Sequence, residues 1–502
     1  MRISFFTTSL CLGLVALAPC LRAQSTPEPI TLNEAIRQAL AKNYSIKAQG
    51  FGTNATRADL AAEWGAFHPG FRGTYTHSED GSPQSSDPFT GNRPPSSIVE
   101  SDTFSLGVGG IAPWGMSYQV SGYSQNQRGT FNAFADNYFS FAGLEITQPL
   151  LKGFGFDANL VSVRLARASH GVSQWQYKQT VMNIVTSVIY AYLELDFAHK
   201  NLEIAIRSRD LASGLLKENE KRFEAGSLSA ADVTSARTRV ATREEAILIA
   251  TRSVKVSANF LKGLISDDNT TALLDRNLAI AKPAPLPDHV PNPAFEFAAA
   301  LERRPDYQQA KLNVRRADVN RRYRRNQLMP QVNLVGSLGY NGLDNHVSKS
   351  QLQVLDRDSR SYSLGAVVSV PLTFAAERGR YRSATFNLQQ AEMNLAAVEQ
   401  DIVVALGNAA SQINTAKQRV EVTTYSLGLA EQNLDAEVKK LRAGTGSTFF
   451  VLAQQEILAG AEISAYRAET DLQRALADYN LQRGMTLDEH GITIEGDTDM
   501  RY

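Results

Sequence analysis

The feature that most constrains the fold is an internal duplication, because short motifs occur twice in the same order along the chain. The segments 39–43 and 300–304 are separated by 261 positions, and so are Pro69 and Pro330. Further along, the separations are 222 and 218 positions, for 146–150 with 368–372 and for 223–227 with 441–445. A motif order that repeats across most of a chain predicts two copies of one structural unit.

Period-two alternation predicts β-strands in both halves. Apolar residues alternate with polar or small ones at 71–76, 104–109, 332–341 and 361–370. Spans of about ten residues with one apolar face are typical of strands that cross lipid. Beyond the N-terminus no stretch is expected to form a transmembrane helix, so a membrane-spanning form must be a closed β-barrel. A soluble β-sandwich would explain any single strand, but not the very long helices beside the strands.

The predicted helices are unusually long. Residues 158–225 contain no proline, and their apolar side chains recur at helical spacing, which predicts a helix of about 100 Å. Helices predicted at 31–66 and 228–263 are each about half as long. An amphipathic hairpin of this size leaves much apolar surface uncovered, so we expect lateral self-association.

The N-terminus predicts export. Arg2 precedes a short apolar run at 5–17, and a cleavage site before Gln24 defines residues 1–23 as a signal peptide. Cleavage removes both cysteines of the chain, which excludes a disulfide scaffold. In an alternative interpretation, residues 17–20 resemble a lipobox, and Cys20 is lipidated and becomes the mature N-terminus.

Composition and spacing argue against nucleic-acid binding, metal binding and catalysis. The 51 basic residues are balanced by 51 acidic ones, so no global positive field would attract nucleic acid. The basic run at 321–325 is predicted to lie on a helix, as a solvated or headgroup-facing band. The seven histidines lack metal-ligand spacing, and no carboxylate pair stands out as catalytic. We therefore predict no catalytic residues, no cofactor and no metal.

The duplicated motifs resemble those of the TolC-like outer-membrane efflux protein family. The similarity covers nearly the whole mature chain and follows the family's order twice. It is carried by the opening at 31–43, the start of the second repeat at 304–306, the strand-to-helix junctions at 148–151 and 370–372, and the helix-hairpin tips at 225–226 and 443–444.

This resemblance implies an α+β fold: an antiparallel β-barrel in the outer membrane, continued by a periplasmic α-helical coiled-coil barrel, with the chain assembled as a homotrimer. It divides the chain into a first repeat at 24–265, a proline-rich linker at 266–293, a second repeat at 294–485 and a C-terminal tail at 486–502. Barrel strands are expected at about 69–149 and 330–371. The prolines at 283, 285, 287, 291 and 293 predict that the linker is not helical.

The first repeat is expected to carry an added hairpin. The motif separation falls from 261 to 222 between Pro69 and Pro149, which places 39 additional residues there. Two further strands are predicted at 103–111 and 116–125, around a turn at 112–115. The family usually supplies four strands per chain, so the hairpin would either enlarge the barrel or decorate its rim.

The resemblance implies the exit duct of a tripartite efflux or type I secretion system, a passive conduit for small molecules or polypeptides. Implied partners are a periplasmic adaptor, an inner-membrane pump and outer-membrane lipid, and the pump rather than the duct selects the cargo. A structural tether without a conducting lumen is the main alternative. An enzyme is the weakest reading, since only Asp102 and Asp136 stand near the segment 103–137.

The two helix-hairpin tips are the sites at which the resemblance implies adaptor docking. Their glycines suit left-handed helix caps, and the hydroxyl residues that follow suit the start of the next helix. The predicted docking residues are Ala225, Gly226, Ser227, Leu228 and Ser229 in the first tip, and Ala443, Gly444, Thr445, Gly446 and Ser447 in the second.

The same resemblance implies a periplasmic gate, and here the sequence departs from the family. Asp232 matches an aspartate that takes part in a polar lock, but the partner positions hold Leu441 and Gly446. An acidic ring is expected where this chain has Phe450 and Ala453. Phe450 could instead form a hydrophobic constriction that gates by dewetting, or it could pack between helices.

Overall fold

The computed structural model describes residues 29–86, 88–92, 95–285, 287 and 289–494. The predicted signal peptide at 1–23 and the alternative lipidation site at Cys20 lie outside the described residues. Long helices and one antiparallel sheet account for most of the described chain.

Two helices open the first half, α1 at Leu32–Lys42 and α2 at Tyr44–Gly65. The single helix predicted for 31–66 is wrong in this respect, because Asn43 adopts an extended backbone between the two. The Asn43 side chain accepts hydrogen bonds from the amides of Ser45 and Ile46 and thereby begins α2. An asparagine is well suited to this position because its side chain satisfies amides that have no helical partner.

Six strands form one antiparallel sheet in chain order. They are β1 Gly70–Ser82, β2 Ser97–Ile111, β3 Ser117–Gly129, β4 Tyr138–Pro149, β5 Gln331–Asp344 and β6 Ser359–Ser369. The predicted hairpin forms β2 and β3, which lie inside the sheet between β1 and β4. Of the two roles expected for the hairpin, decoration of a rim is therefore wrong, because its strands enlarge the sheet itself.

The register gives the sheet two chemically different faces. Paired residues share a face, and one row across all six strands is apolar: Phe71, Val108, Val120, Leu144, Leu338 and Tyr362. The neighbouring row, which points to the other side, holds small or polar residues: Gly70, Gly109, Gln119, Glu145, Ser337 and Ser363. The sheet is thus amphipathic over its full width.

The long helix predicted after the strands is confirmed. A short α3 at Phe156–Asn159 precedes α4 at Val161–Glu224, and α5 at Ala230–Ile265 packs against α4. The 64 residues of α4 correspond to about 96 Å. Helix α4 begins later than the predicted residue 158, because the backbone of Leu160 leaves the helical region.

One window of α4 is long and apolar enough to cross a membrane by length and composition alone. The expectation that no such stretch follows the N-terminus is therefore wrong on composition. However, 61% of that window is buried inside the protein, and Val185, Val188 and Leu195 of the same helix belong to the main core. The apolar character of α4 serves packing.

The segment between the halves is mostly irregular. It contains the short helix α6 at Ala272–Asp275 and one parallel bridge, in which the amide of Ile30 donates to the carbonyl of Ala279 at 2.9 Å. Pro293 is the first residue of α7, at Pro293–Arg303. The predicted non-helical linker is thus wrong at α6, which lies before the prolines, and at its last residue, Pro293, since the first turn of a helix tolerates a missing amide hydrogen.

The second half repeats the order of the first. Helix α8 spans Pro305–Asn326 and leads into β5; α9 at Val347–Asp356 joins β5 to β6; α10 at Ala375–Arg442 and α11 at Thr448–Gln482 form the second hairpin. The segment predicted as a tail contains α12 at Thr486–Glu489. Its Leu487 is buried in the core of the first half.

Helix α4 occupies the middle of the helical layer. Near the sheet, α4 packs between α2 and α8, and α8 packs on α10; further from the sheet, α4 packs between α5 and α11, and α11 packs on α10. The layer therefore has the order α2–α4–α8–α10 at one level and α5–α4–α11–α10 at the other. Because α8 and α11 come from the second half, the two halves form one continuous wall.

Tyr192 ties the N-terminal segment and the linker to the middle of α4. It is fully buried, and its hydroxyl shares one proton between the carbonyl of Ala281 at 2.6 Å and that of Ile30 at 2.9 Å. Burial, followed by the nearby charge of Asp196, raises the pKa of Tyr192 to about 12. The hydroxyl therefore stays protonated and remains a donor over the whole physiological range.

Replacing Tyr192 with Phe keeps the ring but removes this donor, so the Ala281 carbonyl loses a buried partner, whereas the Ile30 carbonyl still accepts from the Ala281 amide at 3.0 Å. We expect a loss of about 1–3 kcal/mol in the free energy of unfolding, measured as a lower urea midpoint for the loss of helical circular dichroism. Tyr177→Phe is the matched control on α4, because the Tyr177 hydroxyl makes no hydrogen bond to a described residue. Equal midpoints for the two variants would contradict the anchoring role.

Candidate functional site at the helix tips

The two helix hairpins turn through the same motif. At the end of α4 the amide of Ser227 donates to the carbonyl of Arg222 and that of Gly226 to Phe223, both at 2.9 Å. At the end of α10 the corresponding bonds run from Thr445 to Lys440 and from Gly444 to Leu441, at 3.1 and 3.2 Å. Gly226 and Gly444 have φ angles of 74° and 76°, a left-handed conformation that terminates helices and favours glycine.

A serine begins the second helix of each hairpin. Ser229 caps α5, and its hydroxyl accepts from the amide of Asp232 at 3.2 Å. The Asp232 carboxylate in turn accepts from the Ser229 hydroxyl at 2.6 Å and from its amide at 3.4 Å. Ser447 caps α11 by accepting from the amide of Phe449 at 3.2 Å. The predicted capping roles are present, and Asp232 is engaged in one of them.

The second tip is tighter than the first because of Gly446. Its amide donates to the carbonyl of Lys440 at 3.0 Å. A Cβ atom at position 446 would lie 2.7 Å from the amide nitrogen of Leu441 and 2.9 Å from the carbonyl carbon of Lys440. Both neighbours are backbone atoms that cannot swing away, so only glycine allows this approach.

A small apolar cluster joins the two hairpins above the tips. Leu215 of α4, Leu441 of α10, and Val451 and Leu452 of α11 are all buried there. Leu441, one of the predicted gate positions, therefore packs between helices of the same chain. Ala453 is half-buried beside the cluster.

Phe449 and Phe450 stay exposed at the start of α11. Their side chains are 58% and 56% exposed, and their rings meet edge to face at 5.7 Å. Arg239 of α5 lies over the Phe449 ring at 5.8 Å, whereas Phe450 has no described cation beside it. Within one chain, Phe450 is not packed between helices.

Ion pairs connect α11 to the first hairpin. Glu456 pairs with Arg239 at 3.1 Å and with Arg243 at 3.6 Å. Further from the tip along α11, Glu462 pairs with Arg207 at 2.7 Å. Burial raises the pKa of the Glu462 carboxyl, and the charge of Arg207 offsets only part of that shift. Because the partners lie 217 and 255 positions apart, no sequence spacing could have revealed these links.

The predicted gate residues are thus divided between two places. Leu441 and Gly446 lie together in the second tip, and Phe450 and Ala453 follow a few residues later on α11. Asp232 instead belongs to the cap of α5 in the first hairpin. Among the described residues, the hydrogen bonds of Asp232 run to Ser229 and not to Leu441 or Gly446. Neither the lock positions Asp232, Leu441 and Gly446 nor the ring positions Phe450 and Ala453 carry the polar groups of the family's gate, apart from Asp232 itself.

The acidic residues near the hairpin β2–β3 form an ion network. Arg128 pairs with Glu100 at 2.7 Å, with Asp102 at 3.6 Å and with Asp136 at 3.7 Å. Asp102 also accepts from the Tyr75 hydroxyl at 2.9 Å. In the part of the chain that the structure describes, no group of three or more His, Cys, Asp or Glu could hold a metal ion.

Replacing Gly446 with Ala should open the second tip, because the added methyl group meets two backbone atoms. We expect about 1–3 kcal/mol of local destabilisation, measured as faster amide hydrogen exchange at Leu441 and Val451. Gly460→Ala on α11 is the control, since a Cβ there meets nothing within 4 Å and alanine favours the helix. Unchanged exchange in the Gly446 variant would show that the close approach is dispensable.

Comparison with known proteins agrees with this architecture. A family model described as outer membrane efflux protein matches residues 35–266 and 298–479. The outer membrane efflux protein BepC of Brucella suis biovar 1 is 23% identical over 390 residues, which cover 75% of this chain and 79% of BepC.

Solved structures share the fold at lower identity. A membrane protein from Pseudomonas aeruginosa superposes with a TM-score of 0.67 at 19% identity, over 90% of both chains. The CmeC outer membrane channel of Campylobacter jejuni gives 0.66 at 14% identity, over 91% of this chain and 86% of CmeC. The outer membrane protein VceC of Vibrio cholerae gives 0.65 at 16% identity, over 90% of this chain and 96% of VceC.

The family match spans both halves and ends each segment near the end of a hairpin. An amphipathic sheet joined to helices of about 100 Å also agrees with a family of outer-membrane transport proteins. The chain belongs to the outer membrane efflux protein family, as an efflux channel of the outer membrane whose helical part extends into the periplasm.

Proposed function

We propose that three copies of this chain form one continuous duct, through which cargo passes passively from the periplasm to the outside. The sheets of the three copies close into one barrel in the outer membrane, and their helical layers close into one periplasmic tunnel. The duct is the exit segment of a tripartite efflux or type I secretion system. Small molecules or polypeptides are its cargo.

The observation that carries this proposal is that both outer edges of the helical layer expose apolar side chains to water in the single chain. At one edge of the helical layer α5 exposes Leu248, Ile249, Val256 and Phe260; at the other edge α10 exposes Phe386, Met393, Val403, Val404, Val422 and Tyr425. Apolar surface of this extent is unfavourable in water. Edge-to-edge contact with identical copies would cover both surfaces at once and would generate a closed ring.

The faces of the sheet support the same arrangement. Apolar residues such as Phe71 and Leu364 are more than 70% exposed in the single chain, and lipid is the medium in which such a face is stable. The opposite row, with Gln119, Glu145 and Ser337, would then line a water-filled lumen. Passage through such a lumen requires no covalent chemistry.

The tips at 225–229 and 443–447 are the proposed docking sites for a periplasmic adaptor, which links the duct to an inner-membrane pump. They lie at the ends of α4 and α10 that are remote from the sheet. Their backbones are fixed by helix caps, and a rigid, repeated turn is a suitable surface for a partner. In this arrangement the pump, rather than the duct, selects the cargo.

The proposed gate is apolar rather than acidic. Phe450 is exposed on α11 and stands next to the tip, so three copies would bring three such rings towards one axis. Apolar rings of this kind close a pore by excluding water. The ion pairs of Glu456 with Arg239 and Arg243 hold α11 against the first hairpin and would stabilise the closed arrangement.

The first test is single-channel conductance in planar bilayers, after the mass of the detergent-extracted protein has been measured. We expect a trimer that forms discrete channels, with a higher resting conductance for Phe450→Ser because a polar side chain admits water. Phe386→Ser is the comparison variant: it lies on the exposed edge of α10 and should lower trimer stability without raising the leak.

Two outcomes would contradict the proposal. A trimer that inserts but stays silent in both the wild type and the Phe450→Ser variant would favour a structural tether. A stable trimer whose leak is unchanged by Phe450→Ser, with lower thermal stability, would assign Phe450 to packing between copies.

A second test concerns the tips. Gly226→Val and Gly444→Val place a β-branched residue at a left-handed φ, which costs about 1–2 kcal/mol at each turn and displaces the docking surface. We expect reduced export, measured as higher cellular retention of a fluorescent efflux dye at equal outer-membrane levels of trimer. Gly214→Ala and Gly428→Ala, in helices with open space around them, should export normally. Normal export by both valine variants would refute the docking role.

A further inference from the structure

The two edge strands of the sheet are suited to pair between copies, so that one edge of a copy meets the other edge of its neighbour. Strands β1 and β6 form its outer edges, and every residue of both strands is exposed in the single chain. Because the sheet has six antiparallel strands, β1 and β6 run in opposite directions. The β6 strand of one copy can therefore extend the antiparallel ladder to β1 of the next, which removes both unpaired edges.

The height of the apolar band fixes the register of this contact. Apolar residues on β1 are Phe71 and Tyr75, and on β6 they include Leu364 and Val368. Both sets lie on the same face of the sheet, as the paired rows show. If Phe71 stands opposite Val368 and Tyr75 opposite Leu364, the two apolar sets meet at one depth in the membrane. Gly70 at the start of β1 then stands opposite Ser369 at the end of β6.

This register closes a barrel of ordinary geometry. Following the paired residues across the sheet from Gly70 leads to Ser363 on β6, which is six residues before Ser369. The stagger is thus six residues for each copy of six strands. With three copies this gives 18 strands and a stagger of 18 residues, which corresponds to a strand tilt of about 35°. Membrane barrels have tilts of about 35–45°.

The hairpin β2–β3 determines the width of this barrel. With 18 strands and a stagger of 18 residues the backbone cylinder is about 34 Å across, whereas 12 strands with the same stagger would give about 27 Å. Four helices of each copy adjoin the strands along the chain, namely α2, α4, α8 and α10, and they pack side by side in this order. Twelve helices spaced about 8–10 Å apart form a ring about 31–38 Å across, so the wider barrel matches the tunnel.

We propose that β6 of each copy pairs with β1 of the next in the register Gly70 to Ser369, which closes an 18-stranded barrel widened by the hairpin β2–β3. This inference rests on the proposed trimeric duct. It also deepens it, because a lumen of this width admits bulky hydrated solutes and a polypeptide helix of about 10–12 Å. The barrel is then not the narrowest part of the path.

The test is disulfide formation between neighbouring copies. In the proposed register Thr76 stands opposite Ser363, so Thr76→Cys with Ser363→Cys should cross-link on mild oxidation of the full-length trimer. The two positions lie on opposite edges of one sheet, and a disulfide between them must therefore join two copies. The native cysteines at 11 and 20 both precede the predicted mature N-terminus and do not interfere.

Three controls define the register and the chemistry. Thr76→Cys with Ser361→Cys, and Thr76→Cys with Gly365→Cys, represent slips of two residues in either direction and should cross-link poorly. Thr74→Cys with Ser105→Cys is the positive control, since these residues are paired on β1 and β2 and their hydroxyls lie 2.6 Å apart. Its disulfide stays within one chain and is detected by loss of free thiols.

The mass of the oxidised and unoxidised protein is measured first, because it separates two kinds of failure. A particle that is not a trimer would overturn the proposed function itself. A trimer in which the positive control forms but Thr76–Ser363 does not would overturn the edge pairing alone. Preferential cross-linking of a slipped pair would overturn the register and the stagger calculated from it, whereas covalent dimers and trimers from Thr76–Ser363 only are the expected result.

Discussion

The burial of α4 between helices from both halves is the interaction on which the rest of the structure depends. Two shorter helices stacked end to end cover each flank of this helix, α2 and α5 on one side and α8 and α11 on the other. The two halves consequently share one wall instead of forming two domains. Tyr192 adds the N-terminal segment and the linker to the same helix. An apolar stripe of this length thus explains both the stacked short helices and the absence of independent halves.

Much of this fold could be predicted from the sequence because it depends on local periodicity. Alternation at 332–341 and 361–370 marks strands, and the proline-free stretch at 158–225 marks the long helix. The break at Asn43 and the helical start at Pro293 were missed, since one side-chain cap decides the first and one tolerated proline the second. Whether the hairpin joins the sheet depends on the pairing of β2 with β1 and of β3 with β4, and periodicity within one strand carries no information on that.

The candidate site was predictable to different degrees for the same reason. The caps at Gly226, Gly444 and Ser229 follow from residue types at adjacent positions. Leu441 is buried, and Glu456 and Glu462 bind arginines of the other hairpin, through contacts between residues hundreds of positions apart. The turn of each tip is therefore encoded locally, whereas the apolar cluster and the ion pairs near the tips form only when the two hairpins pack together. Near the tips the charged side chains of α11 form ion pairs with the first hairpin. The positions at which the family has an acidic ring hold Phe450 and Ala453 instead.

The shared wall also has a consequence for biogenesis. A chain that enters the periplasm N-terminus first delivers α4 long before its partners α8 and α11 in the second half, because α4 ends at Glu224 and α11 begins only at Thr448. Until then the flank of α4 that α8 and α11 will cover is open to water, and so is the place that Leu487 will fill. The first half thus cannot reach its final state during translocation. Completion of the core therefore waits for α11 and α12, so a product truncated before Thr448 would leave an apolar flank of α4 exposed to chaperones and proteases.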